Sequence, residues 1–286
     1  MPFVPSYNVD PARQAYTLEA GPVGVLMMHG FMGAPISSRP LAGYLADRGI
    51  TVHCPLLPGH GELPNKLYKV PRQSWMQEAE EGYAWISQHC DEIFLMGHSM
   101  GTVLNARLAS QNEDVRGMIL LAPAYDLPDK RLLAMSGLRY VMPWFYPLKM
   151  KSLRRLVTER LRDFDPTLDL EDPAIQDRLP ELTKVPTSAI DEMSKTLRSG
   201  KKLWPTIDLP AIILQGDKDV AVPLENTQKL YEVLPSEEKD LIILPGAGHE
   251  LMRPFDPAHE KVWPAVYDFI KQRSVTVVGD LALDPL

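Results

Sequence analysis

Short, continuous apolar runs set the rhythm of this chain. They cover residues 24–28, 50–55, 93–96, 115–122, 211–216 and 241–244, and glycine, proline or a polar turn stops each one. Runs of this length without polar alternation predict strands buried on both faces of a parallel sheet. Between them the period changes. Leu41, Tyr44 and Leu45 recur at i, i+3, i+4 ahead of Gly49, predicting a helix over 38–48, and Trp75, Ala79, Tyr83 and Ile86 predict another over 74–89. Further helices are expected over 102–109, 187–199, 224–234 and 260–271, and an edge strand near 15–18. The repeated strand–helix order predicts an α/β protein: a mostly parallel central sheet flanked by helices.

The alternation lapses between Tyr125 and Leu203, where no buried strand is evident and a basic, aromatic-rich stretch intervenes. We expect core segments at 1–124 and 206–286, with 125–205 inserted as a helical cap over the carboxyl edge of the sheet. The tail at 275–281 is apolar enough to pack as an edge strand or at a subunit contact. Oligomeric state has no signature in the pattern.

Candidate chemistry gathers at predicted strand ends, where ligand sites of such sheets sit. Gly97-His98-Ser99-Met100-Gly101 is a Gly-x-Ser-x-Gly segment between a strand and a helix, a turn that strains the serine and exposes its hydroxyl. A serine hydroxyl requires a base and a group that orients the base. Asp217 and Asp219 follow the strand ending at Gly216, and His249 follows the next. Ser99 is expected as nucleophile, His249 as base, and Asp219 as the orienting acid, with Asp217 the competitor, better suited to capping its turn. The oxyanion is expected to meet the backbone N–H of Met100 and that of Phe31, or of the neighbouring Met32. His98, His29 and His60 are expected to pack or hydrogen-bond within their loops. Histidine spacing matches no metal motif, and the glycine turns match no nucleotide fingerprint, so no metal or cofactor is expected.

Together His29-Gly30-Phe31-Met32-Gly33-Ala34-Pro35, Pro58-Gly59-His60-Gly61, Gly97–Gly101, Gly216–Pro223 and Gly246–His249 resemble the α/β-hydrolase superfamily. The branch they resemble is that of bacterial carboxylesterases and monoacylglycerol lipases, also labelled lysophospholipase-like. The likeness covers residues 23 to 270 and implies hydrolysis of short- or medium-chain carboxylic esters or monoglycerides by Ser99, Asp219 and His249 through an acyl-enzyme, without a cofactor. An acyltransferase, a cofactor-free perhydrolase or haloperoxidase, and an inactive lipid-binding protein stay open as alternatives. The cap departs from the resemblance: it is longer than the lids of small bacterial members and matches no motif. Met135, Leu138, Val141, Met142, Trp144 and Phe145 are the candidates to line an acyl pocket beneath it.

Charge and cysteine usage narrow the partners. A net charge of -7 leaves no domain-wide basic surface for nucleic acid. The basic stretch at 130–162, interleaved with apolar residues, could touch an anionic lipid surface transiently. Cys54 and Cys90 form neither a disulfide framework nor a CxxC motif, and residues 1–6 lack the charged and apolar regions of a secretory signal, so a cytoplasmic location is expected. The substrate class expected is a small-molecule ester or lipid.

Overall fold

Successive residues of the strand Val23–Met28 face opposite sides of the sheet. Val23, Val25 and Met27 enter one core, while Leu26 and Met28 enter the other. That two-sided burial is why the strand reads as an unbroken apolar run rather than as an alternation. The computed structural model describes residues 9–127, 130–150, 154, 157, 158, 161, 169–254 and 256–276. Its elements run β1 (Tyr16–Leu18), β2 (Val23–Met28), α1 (Arg39–Ala46), β3 (Ile50–Cys54), α2 (Arg72–His89), β4 (Glu92–His98), α3 (Met100–Ala109) and β5 (Val115–Leu121). Then come α4 (Met135–Leu138), β6 (Trp144–Phe145), α5 (Pro173–Leu182), β7 (Val185–Pro186), α6 (Thr187–Lys201), β8 (Ala211–Gly216), α7 (Leu224–Val233), β9 (Lys239–Leu244) and α8 (His259–Arg273).

The seven-stranded sheet has the order β1-β3-β2-β4-β5-β8-β9. Only the edge strand β1 is antiparallel to its neighbour; the other pairings are parallel. One face is covered by α1 and α8 through Leu41, Leu45, Val262, Val266 and Phe269. The other is covered by α2 and α3, with Trp75, Ile86, Met100 and Leu104, and further along by α7 through Leu230. Each such side chain contributes roughly 1.5–3 kcal/mol on burial. The α/β-hydrolase arrangement follows: a parallel sheet clothed on both faces, with β4 at its centre.

Between β5 and β8 the described chain is mainly helical. Its one ladder is the two-residue pair β6–β7, too short for any periodicity to signal. The longest described helix of this segment, α6, lies across α3 and α2. At the crossing a side chain on Gly200 would strike Val103, so glycine permits the close approach. α5 was not anticipated. Asp172 caps it by accepting the Ala174 N–H at 2.8 Å, and Pro173 opens it, but Pro180 inside interrupts the expected pattern. Parts of the basic stretch, and the tail beyond Thr276, lie outside the described residues. The tail's first two residues donate their N–H groups to the buried Glu92 carboxylate at 2.9 and 2.8 Å.

Candidate active site

The turn after β4 is strained at one residue. Ser99 has φ 53° and ψ -121°, a region costing a non-glycine residue about 1–3 kcal/mol. Its neighbours hold it there. The Ser99 N–H donates to the carbonyl of Leu121 at the end of β5, and the Thr102 hydroxyl donates to the Ser99 carbonyl at 2.7 Å. A side chain on Gly97 would come within 2.6 Å of the Thr102 nitrogen, and one on Gly101 would run into the Met28 carbonyl. The two glycines let β2, β4 and α3 meet at this turn.

Because β8 and β9 are parallel neighbours, their carboxyl ends deliver the loops bearing Asp219 and His249 side by side. The loops are then tied. A side chain on Gly216 would strike the Ala247 and Gly248 carbonyls, the Lys218 N–H donates to the Ala247 carbonyl at 2.9 Å, and Asp217 accepts the Gly246 N–H at 2.7 Å. Asp217 thus pins the turns together. His249 Nδ1 donates to Asp219 Oδ2 at 2.8 Å, and both side chains are almost wholly buried. This tautomer leaves His249 Nε2 as the acceptor, and that buried atom has no hydrogen-bond partner.

Burial pushes the Asp219 carboxyl up, but hydrogen bonds from His249, Ala221 and Val222 outweigh it and hold the group below the usual aspartate range. It therefore stays charged beside the imidazole. Sequence reasoning missed Gln215. Its buried amide nitrogen donates to Asp219 Oδ2 at 3.0 Å, and its amide oxygen accepts the Thr227 hydroxyl at 2.8 Å. A glutamine ending the apolar run of β8 was the available signal.

His98 Nε2 donates to the His249 carbonyl at 2.9 Å, steadying the loop that carries His249. His29 accepts the Leu57 N–H at Nε2 (3.1 Å), so its Nδ1 donates to the Gly30 carbonyl (3.0 Å). That fixes the loop over Ser99, where a side chain on Gly30 would lie 3.1 Å from the Ser99 Cβ. Phe31 follows, its ring edge-on to Trp75 at 6.1 Å, and Met32 completes the turn with φ 59°. Met100 opens α3, in the first turn, where backbone N–H groups have no intrahelical acceptor.

The six suggested pocket residues part company. Met135, Leu138 and Phe145 cluster with Val185, Ile190 and the side chains Phe31 and Met32 of the loop after β2. Val141 and Met142 point outward, 79% and 43% exposed, because the turn that ends α4 rotates them away from that cluster. Trp144 stacks on Tyr68 at 5.4 Å, and the Lys184 ammonium lies over the Trp144 ring at 4.6 Å.

Two cavities meet at Met32 and Glu62. One has a mixed lining, running past Gly30, His98 and Glu250 to Arg13 and Ser37, and so touches the loop after β2, the end of β4 and the loop that carries His249. The other is apolar, between Leu63, Pro147, Val157, Leu161, Leu182 and Val185. Among the described residues no group of three or more His, Cys, Asp or Glu side chains could hold a metal ion.

The family model described as "Serine aminopeptidase, S33" matches residues 23–257. A thermostable monoacylglycerol lipase of Bacillus sp. (strain H-257) is 31% identical over 250 residues, covering 87% of this chain and 92% of that one. A carboxylesterase of Bacillus subtilis (strain 168) is 23% identical over 261 residues, 90% of this chain and 96% of that one. Among solved structures, one described with LipS and LipT, two metagenome-derived lipolytic enzymes, superposes with a TM-score of 0.76 at 25% identity. It covers 93% of this chain and 100% of that one.

Proposed function

This chain belongs to the serine aminopeptidase S33 family and is a serine ester hydrolase; within that frame we propose that Ser99, His249 and Asp219 are its catalytic triad. The observation that carries the reading is the buried, charge-assisted His249–Asp219 pair, on a loop that His98 Nε2 ties at 2.9 Å to the turn bearing the strained Ser99. Ser99 Oγ attacks the ester carbonyl carbon as its proton passes to His249 Nε2. Asp219 stabilises the imidazolium. The N–H groups of Phe31 and Met100 receive the oxyanion, which collapses to expel the alcohol, protonated by His249. Water, activated by the same base, then attacks the acyl-enzyme and frees the acid.

The segment 125–205 is the cap. Its inward residues Met135, Leu138 and Phe145, with the neighbouring apolar cavity, support an acyl chain as occupant, while the polar side chains Glu62, His98 and Glu250 on the wall of the mixed cavity support a hydroxyl-bearing leaving alcohol. A monoacylglycerol or similar medium-chain ester fits that division, and the names of the two curated relatives are consistent with it. Among the described residues no helix is long and apolar enough to cross a membrane. Exposed Tyr140, Val141 and Met142 beside Arg139 and Lys149 instead support transient contact with a lipid surface. Two buried, unpaired cysteines favour a reducing cytoplasm.

The test is turnover of nitrophenyl esters of increasing acyl length and of monoacylglycerols. Ser99→Ala should lose about 10⁶-fold in kcat, and a fluorophosphonate should label Ser99 alone. Undiminished turnover in that variant removes the triad, and a preference for acetyl over all longer esters removes the acyl-pocket reading.

A further inference from the structure

A third cavity, of about 330 Å³, lies away from the catalytic loops, where α2, α3 and α6 converge. Its floor is apolar: Met76 from α2, Val103 and Leu104 from α3, and Leu203 just beyond α6. Two arginines line it, Arg72 at the start of α2 and Arg107 in the last turn of α3, and no acidic side chain does. Neither guanidinium has an acidic partner among the described residues. Glu192 accepts the Arg72 backbone N–H at 3.3 Å and is otherwise engaged by Lys195 at 2.9 Å and Arg139 at 3.4 Å.

Two cations over an apolar floor are uneconomical for a groove that stays filled with water. Arg72 is half-buried and Arg107 exposed, and a guanidinium at the edge of an apolar surface gains most from a carboxylate, which it grips through two parallel N–H bonds. The floor adds a complementary demand, because its aliphatic surface is covered favourably only by a hydrocarbon. One molecule class satisfies both, an acid with an alkyl chain. The enzyme's own reaction releases such molecules from esters.

We propose that the groove between α2, α3 and α6 is a second binding site, which takes the carboxylate of a medium-chain fatty acid on Arg72 and Arg107 and its alkyl chain on Met76, Val103 and Leu104. An acid seated there bridges the cap helix α6 to the two core helices, one of which begins at the nucleophile. The site is therefore placed for the product of hydrolysis to act back on the cap. The chain length rests on the acyl-pocket reading above; the carboxylate and the groove do not.

The experiment titrates carbon-13 decanoate into the full chain, free and with Ser99 blocked by a fluorophosphonate, and follows saturation by NMR. A saturable site should survive the block. The double variant Arg72→Gln, Arg107→Gln should weaken it at least tenfold, while turnover of nitrophenyl acetate stays unchanged, since neither arginine belongs to the catalytic machinery. Decanol should bind at least tenfold more weakly than decanoate. Binding that disappears on blocking Ser99 lies in the catalytic pocket and overturns the proposal. So does decanoate affinity left intact in the double variant. Failure of the label to attach, read separately by mass, counts against Ser99 as nucleophile and not against the groove, because the arginine comparison is read equally well on unblocked protein. Octanoate and dodecanoate in the same titration separate an error in chain length from an error in the site.

Discussion

The catalytic loops and the cap are built by different physics. Ser99, Asp219 and His249 are held by backbone hydrogen bonds and by close approaches that glycine permits, all anchored to parallel strands. The cap is tied through side chains. Asp191 of α6, 1% exposed, accepts the Ser136 hydroxyl at 2.5 Å and pairs with Arg139 at 2.6 Å and Lys195 at 2.9 Å. Through Glu192 the same cluster reaches the first N–H of α2. The comparison separates two tasks. The sheet presets the geometry of the proposed triad, whereas charges that can be broken one at a time secure the region we propose as the selector of substrate.

The sharpest way to break this comparison is within the catalytic loops. Asp219→Asn should reduce kcat by on the order of 10⁴, because the amide cannot hold the imidazole tautomer or stabilise the imidazolium. Asp217→Asn should cost less than about tenfold, since Asp217 accepts one backbone N–H and faces solvent. Steady-state kinetics on a short ester compares them, and equal losses would mean that the acid has been misassigned.

A second cut falls on the cap. Asp191→Leu leaves Arg139 and Lys195 without their buried counter-charge, and breaking such a pair costs about 3–5 kcal/mol. The loss should appear as protease sensitivity at 130–200 and as raised KM for long-chain esters, while turnover of the acetyl ester holds. Acid should do the same by titration. Burial raises the Asp191 carboxyl, but hydrogen bonds from Ser136, Lys195 and Arg139 bring it below the ordinary aspartate value. A depressed pKa means stabilisation that is complete above the unfolded value of about 3.9 and lost as pH falls through the folded one. Cap protection from protease should therefore decline only below about pH 4, and the decline should be absent in Asp191→Leu.

What the sequence disclosed follows the same division. Buried parallel strands announce themselves as apolar runs, and strand-end loops carry recognisable turns, so the sheet, Ser99, His249 and Asp219 were legible. The inserted helical segment and its helix near 187–199 were legible too, but its internal organisation was not, because that depends on long-range pairs such as Arg139–Asp191, which no local period encodes. Pro180 disguised α5 although Asp172-Pro173 marks its start. Val141 and Met142 are apolar and adjacent to residues that pack in the Met135 cluster, and only the turn after α4 settles which way they face. Gln215 escaped notice because one polar residue at the end of an apolar run looks like the end of a strand.

That glutamine offers an intermediate test of the core. Gln215→Leu keeps the volume but strips Asp219 Oδ2 of one donor and leaves the Thr227 hydroxyl without its acceptor. A buried group left unsatisfied costs about 1–3 kcal/mol. Turnover should fall about tenfold to a hundredfold, with KM unchanged, since the residue positions the acid and touches no substrate. The pH profile supplies the discriminating readout. With one donor lost, the Asp219 carboxyl should rise, and the acid limb of kcat/KM should move upward; a structural role alone would lower stability and leave that limb in place.

The smallest effects belong to the outer face of the cap, and they sharpen the comparison most finely. Val141 and Phe145 are four residues apart, yet one is 79% exposed and the other packs on the cluster of Met135, Val185 and Ile190. Val141→Gln should change stability by less than about 0.5 kcal/mol and leave acyl-length preference untouched, as surface substitutions do. Phe145→Ala should open space beside the acyl chain and move the preferred ester toward longer or bulkier acyl groups. If Val141→Gln shifted the chain-length profile as much as Phe145→Ala, substrate would have to cross the outer face of the cap. That result would redraw the boundary between the selective region and the solvent, while leaving the chemistry at Ser99 where the sheet puts it.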